Sequence, residues 1–203
     1  MNPLVFALPI FFISIAFEIW LLHRKGKLSL YDLGDAITSA HMGIFMLVTS
    51  VFITFEVYKL VYDNYRLVEW SSSSILLWVL ALLFYDFCYY WVHRFGHEVG
   101  WIWASHIVHH SSEYYNLSTA MRQTTVGKAV VWVFYLPMAL LGVPPKMFII
   151  VGLIDLLYQF WVHTELIGRM GWFDRVFVSP SNHRVHHGRN PRSEERRVGK
   201  ECL

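Results

Sequence analysis

Apolar residues in this chain fall into long blocks, not the spaced pattern of a soluble helix or strand. Residues 3–22 form a 20-residue apolar run broken only by Ser14 and Glu18. As a helix rising about 1.5 Å per residue, it matches a hydrocarbon core about 30 Å thick. The basic residues Arg24, Lys25 and Lys27 follow this run instead of preceding it, so the pattern predicts an uncleaved spanning helix and not a signal peptide. Asp32 and Asp35 lead into a second run, residues 37–55, interrupted by His41. Residues 56–74, with Asp63, Arg66 and Glu69, read as a helix end followed by a loop. The third run, residues 75–92, carries Asp86 and leads straight into His93. A fourth, residues 126–143, has Lys128 near its start and Pro137 inside it, and Gly142 with Pro144 and Pro145 predicts a tight turn. Residues 148–162 make a fifth run, ending at His163 and short enough for a tilted or partly inserted helix. No repeat or low-complexity linker interrupts the pattern. The prediction is an all-α, polytopic membrane helix bundle, with N-terminal transmembrane helices over residues 1–74 and a second region over residues 75–191.

Composition sharpens that picture. Of the 203 residues, 55% are hydrophobic and only 16% charged, against about 25% charged in a typical soluble domain. The net charge of +2 is small and its basic residues are scattered, which excludes nucleic acid as a partner. Cys88 and Cys202 form neither a disulfide framework nor a C-x-x-C motif. Basic residues cluster after the first, third and fifth runs: Arg24, Lys25 and Lys27; Arg94 and Arg122; Arg169, Arg175, Arg184 and Arg189. Under the positive-inside rule those ends face the cytosol, an endoplasmic reticulum membrane in a eukaryote or the inner membrane in a bacterium. Residues 192–203 do not fit the pattern. Seven of the ten residues at 192–201 are charged, and R-S-E-E-R-R-V-G-K-E-C reads as a translated sequencing scar and not as evolved protein.

The candidate chemistry lies in the histidines. Five of eleven fall between His93 and His110, and a second H-x-x-H-H follows at His183, His186 and His187. Side chains three or four apart share a helix face. His93 and His97 therefore point one way, as do His106, His109 and His110, and again His183, His186 and His187. Eight imidazoles exceed the four ligands of one tetrahedral ion. They suit two ions with open positions, and redox work on oxygen selects iron. All three clusters and His163 fall on the cytosolic side by the charge rule.

The motifs at His93/His97, His106–His110 and His183–His187 resemble the fatty acid hydroxylase/sterol desaturase superfamily. The surrounding text resembles its alkylglycerol monooxygenase branch and bacterial relatives: D-F-C-Y-Y-W-V-H-R-F-G-H-E, H-H-S-S-E-Y-Y-N-L-S-T-A-M-R-Q, L-Y-Q-F-W-V-H-T-E and N-H-R-V-H-H-G-R-N-P. The resemblance covers roughly residues 86–191. It implies a membrane bundle capped by a cytosolic di-iron site, with His163 as a further ligand. It also implies O2 and a lipid substrate, with tetrahydrobiopterin or cytochrome b5 as electron donor. The reaction implied is hydroxylation of the ether-linked carbon of an alkylglycerol; the alternative is a cytochrome b5-dependent fatty acid or sterol hydroxylase or desaturase.

Neutral imidazoles leave the charge of two ferrous ions uncompensated, so nearby carboxylates are expected to hold the ligand rings. Asp86 lies two helical turns before His93, and Asp155 shortly before His163. Glu98, beside His97, is expected to hold an imidazole of another cluster or to contact the cofactor. Asn116 and Gln123 are candidates for orienting substrate or pterin, and Arg122 for a counter-charge. Trp101, Trp103, Tyr114, Tyr115 and Trp161 read as interface anchors, with stacking on a pterin as the alternative. A zinc protease is rejected because H-E-x-x-H would need histidine where Trp101 stands. The remaining rival is a non-enzymatic membrane haem or metal-binding protein, although bis-histidine haem needs single histidines on facing helices.

Overall fold

The computed structural model describes residues 7–124, 127 and 130–188, with side chains over the same range except residues 49–53. The charged tail, Cys202, Arg189 and Lys128 lie outside the described residues. Helix α1 spans Ala7–Arg24, α2 Leu33–Tyr65, α3 Ile75–Glu98 and α4 Gly100–His106; α5 spans Leu136–Leu140, α6 Pro145–Trp161, α7 Phe173–Val176 and α8 Pro180–His187. No strand occurs among the described residues. α3 packs against α4 and α6, and α2 against α5.

Two of the predicted boundaries move. α2 continues through the polar stretch to Tyr65, where the pattern predicted a loop. Residues 56–65 contain no proline or glycine, and Lys59 pairs with Asp63 one turn on, so polarity alone does not end the helix. The fourth run is not one helix. A 3₁₀ turn at Trp132–Tyr135 gives way to α5, because Pro137 lacks an N–H and its ring excludes an α-helical carbonyl one turn back. The turn at Gly142 is as expected. Gly142 has φ +86°, and a Cβ there would fall 1.8 Å from the Val68 carbonyl oxygen, so no other residue fits.

α1 and α3 are the described helices long and apolar enough to cross a membrane, and a shorter apolar stretch opens α2 at Leu33–Val48. Neither helix buries that surface within the protein: 22% of the apolar window is buried in α1 and 11% in α3. Leu76, Val79, Leu80, Leu83 and Phe87 form one exposed stripe along α3. An apolar surface of this extent marks contact with a membrane or another protein.

The helices converge at one end. Glu18, buried in α1, accepts a 2.8 Å hydrogen bond from the Leu117 N–H and another from the Thr164 hydroxyl. Asp32 caps α2 by accepting from the Asp35 N–H at 2.8 Å, and Asp35 pairs with Arg122. These contacts draw the loops that carry the histidines onto the ends of α1 and α2.

Candidate metal centre

Nine histidines gather at that end in two groups. His93, His97, His106, His110 and His186 form the first, and His109, His163, His183 and His187 the second; within each, the donor nitrogens lie within 4.8 Å of one another. The grouping cuts across the sequence motifs. His109 and His110 are neighbours yet join different groups, as do His186 and His187. Successive residues on a helical path point about 100° apart, so the H-H pairs straddle both groups instead of sharing a face. Each group draws on distant segments. His93 Nε2 lies 2.9 Å from His186 Nε2, and His163 Nε2 lies 3.1 Å from that of His109 and 2.9 Å from that of His183. The groups abut where the His110 and His187 rings stack, 4.2 Å between centroids.

The local structure explains these placements. His93 and His97 occupy the last turns of α3, one turn apart, with Nε2 atoms 3.1 Å from each other. His106 ends α4, and a 3₁₀ turn at His109–Ser111 follows. α8 begins at Pro180 behind Ser179, whose hydroxyl accepts from the Asn182 N–H, a favourable start that sets the register of His183 and His187.

A metal fits both groups. Along the first, successive Nε2 atoms are 2.9, 3.1, 3.1 and 3.2 Å apart. One N–H per neutral ring cannot satisfy all of those contacts, whereas a shared cation accepts every lone pair. Neighbouring ligands about 2.1 Å from one ion lie roughly 3.0 Å apart at right angles and about 3.4 Å apart in a tetrahedron. The observed spacings match the right-angled case. The rings are also held neutral. Burial, reinforced by adjoining imidazoles, lowers His110, His183 and His187 below the ordinary histidine range; burial and then His109 do the same for His163. His163 Nδ1–H donates to the Gln159 carbonyl at 2.7 Å, and His109 Nδ1–H to the Arg122 carbonyl at 3.1 Å. Both bonds leave Nε2 free of its proton and facing the group, as ligation requires.

The expected helpers fall elsewhere. Glu98 pairs with Arg94 at 2.9 Å and not with an imidazole, because it is one step past His97 and one turn from that guanidinium. Asp86 is exposed on α3 and lies about 10 Å along the helix from His93, out of ring contact. Asn116 is buried and structural. It donates to the Leu30 carbonyl at 3.0 Å and accepts from the Ser118 hydroxyl at 2.6 Å. Arg122 sits with Asp35, Ser39 and Ser111, bracing the His109 loop. Trp103 and Tyr115 pack against the histidine groups: Trp103 lies 5.3 Å from the His97 ring and Tyr115 5.3 Å from that of His187. In the sequence Glu18 is only a break in an apolar run, yet it anchors Thr164 beside His163. A carboxylate inside a spanning segment was the available signal.

Both groups border one cavity of about 160 Å³. His93, His106, His109 and His163 contribute to its roof, and its walls are largely apolar, with Leu8 and Phe11 from α1 and Met46 and Leu47 from α2. Asp155, Gln159 and Gln123 add polar points to the lining.

Known proteins are similar to this chain in sequence. A family profile described as fatty acid hydroxylase matches residues 78–197, ending inside the charged tail. The chain is 44% identical over 190 residues to an alkylglycerol monooxygenase of Danio rerio, covering 91% of this chain and 42% of that protein. It is 44% identical over 176 residues to the Homo sapiens alkylglycerol monooxygenase, covering 84% and 38% respectively. With an ornithine lipid hydroxylase of Rhizobium tropici it shares 29% identity over 112 residues, 55% of this chain and 34% of that one. No solved structure matches. The chain thus spans about two fifths of the length of the alkylglycerol monooxygenases it matches. With more than half of its residues inside the family profile and its histidines gathered in two groups, the chain belongs to the fatty acid hydroxylase family.

Proposed function

We propose that this chain forms the catalytic part of a membrane-bound di-iron monooxygenase that hydroxylates a lipid C–H bond, with an alkylglycerol as substrate and tetrahydrobiopterin as reductant. The observation that carries the reading is the pair of neutral imidazole groups over one apolar cavity. The group of five and the group of four would each hold one iron. When bound, the irons supply activation of O2, which side chains cannot supply.

The protein's own part is to position and to exclude. The exposed apolar faces of α1 and α3 sit in the bilayer, so lipid reaches the cavity without crossing water. Leu8, Phe11, Met46 and Leu47 hold the alkyl chain so that one of its C–H bonds faces the histidine roof. The Gln159 and Arg122 carbonyls fix the tautomers of His163 and His109. Hydroxylation replaces one C–H bond with C–OH; one O2, two electrons and two protons yield the alcohol and water. On an ether-linked carbon the product is a hemiacetal, which separates into an aldehyde and glycerol. The active site faces the cytosol, where the basic ends of the odd-numbered runs collect.

The family profile, described as fatty acid hydroxylase, favours a second reading, hydroxylation of a fatty acyl chain, for which cytochrome b5 would be the electron donor. Full-length protein in membranes, given an alkylglycerol with O2 and tetrahydrobiopterin, should release fatty aldehyde. Turnover of fatty acyl lipid with cytochrome b5 alone would select the second reading, and activity with neither would refute both.

A further inference from the structure

Beyond the metal groups, the chain carries an exposed aromatic and basic segment for which the catalytic reading has no use. After His163 it reverses and returns alongside the last turn of α6. The Tyr158 hydroxyl donates to the Val178 carbonyl at 2.7 Å, and the Trp161 ring lies 6.3 Å from that of Phe173. Residues 173–178 are therefore level with the last turn of α6, beyond its apolar stretch. At that level Trp172 is 70% exposed and Phe177 45%, with Val176 also exposed. Arg169 and Arg175 alternate with them along the segment, both exposed. Among the described residues, neither arginine is paired with a carboxylate. Ile154, exposed on α6 just before Tyr158, continues the apolar surface downward.

This segment is fastened to the metal centre. Asp174 accepts from the Met170 N–H at 2.8 Å and from the Ser181 hydroxyl at 3.1 Å. Its carbonyl accepts from the Asn182 side chain at 2.8 Å. Ser181 and Asn182 open α8, immediately before His183.

We propose that residues 169–177 are a membrane-surface foot, seated in an anionic lipid headgroup layer, that holds α8 and its three histidines in register. Trp172, Val176 and Phe177 enter the boundary where aromatic side chains are favoured, and Arg169 and Arg175 meet lipid phosphate and carboxylate groups. At about 1 kcal/mol per basic residue near such a surface, the two arginines favour the seated position by roughly 30-fold over a neutral one. The inference rests on the membrane reading of α1 and α3 given above.

The test uses full-length protein, lacking native cysteines, in phosphatidylcholine vesicles with or without phosphatidylserine. Nitroxide labels are placed by Trp172→Cys and, separately, by Leu83→Cys on the exposed stripe of α3. The position-83 label should be open to O2 and closed to a water-soluble nickel chelate. The position-172 label should be shielded from the chelate, more so with phosphatidylserine, and R169Q/R175Q should remove that lipid dependence. Phosphatidylserine should also slow chelator-driven iron loss several-fold, and R169Q/R175Q should abolish the slowing. A buried position-83 label with a water-exposed position-172 label overturns the foot alone. A water-exposed position-83 label overturns the membrane reading and the foot together. Iron loss indifferent to phosphatidylserine overturns the link to α8.

Discussion

Between His109 and His110 a single step along the chain changes which group a side chain joins, and that step gives the sharpest residue-level test. His110 belongs to the group of five and His109 to the group of four. Removing one imidazole leaves four donors in the first group and three in the second. Each lost ligand weakens the hold on an ion, and a group left with three donors is weakened further than one left with four. His109→Ala should therefore lower bound iron toward about one ion per chain, and His110→Ala should lower it less. Both should keep their helices, since insertion depends on the apolar runs. Metal analysis beside circular dichroism checks this, and equal iron loss would show that the groups do not bind independently. Glu98 is a different case. Its carboxylate meets Arg94 on an accessible flank, the capture expected of two opposite charges one helical turn apart. Neighbouring His97 in the chain does not bring it to the ring.

At the scale of elements, α1 reaches the centre through Glu18. Replacement by Leu leaves the Leu117 N–H and the Thr164 hydroxyl without their acceptor, a loss of about 1–3 kcal/mol for each buried polar group. Glu18→Leu should lower the thermal midpoint and weaken iron retention in the group containing His163. Glu18→Gln, which keeps an acceptor oxygen, should lose less. Thermal unfolding in detergent with iron analysis reads both, and an unchanged midpoint in Glu18→Leu would show that α1 does not anchor these loops. Element boundaries were legible in part. α1 and α3 appear close to where hydrophobicity placed them, because a long apolar block has few alternatives. α2 outran its polar stretch because charged side chains one turn apart support a helix. The fourth run broke because one proline outweighed its apolar neighbours.

For the whole molecule, the metal-free protein should lose stability as pH falls. His110, His163, His183 and His187 are all lowered from the ordinary range by burial. The unfolded chain takes up protons near pH 6.5, roughly the free histidine value, while the folded chain does not. Stability from these neutral rings is thus fully present above about pH 6.5 and declines below it, by up to about 1.4 kcal/mol per pH unit for each ring. Protons also compete with iron for the same nitrogens, so holoprotein should release metal over the same window. Denaturation midpoints and iron content measured from pH 7.5 to 5.5, about one unit either side of that value, check the sign. A midpoint that rises on acidification would refute it.

The sequence by itself determined the helical class, the apolar blocks and a metal-binding chemistry built from imidazoles. Each of these follows from local spacing: a 20-residue run with only two polar breaks, or histidines three and four apart. Only the tertiary structure decided how nine histidines divide into five and four, because that division joins residues as far apart as His93 and His186. A local period fixes the direction of a side chain on its own helix, but not which distant ring it will face. The same limit hid the part played by Glu18. Its partners, Leu117 and Thr164, lie 99 and 146 residues along the chain, and only packing brings them within reach of one carboxylate.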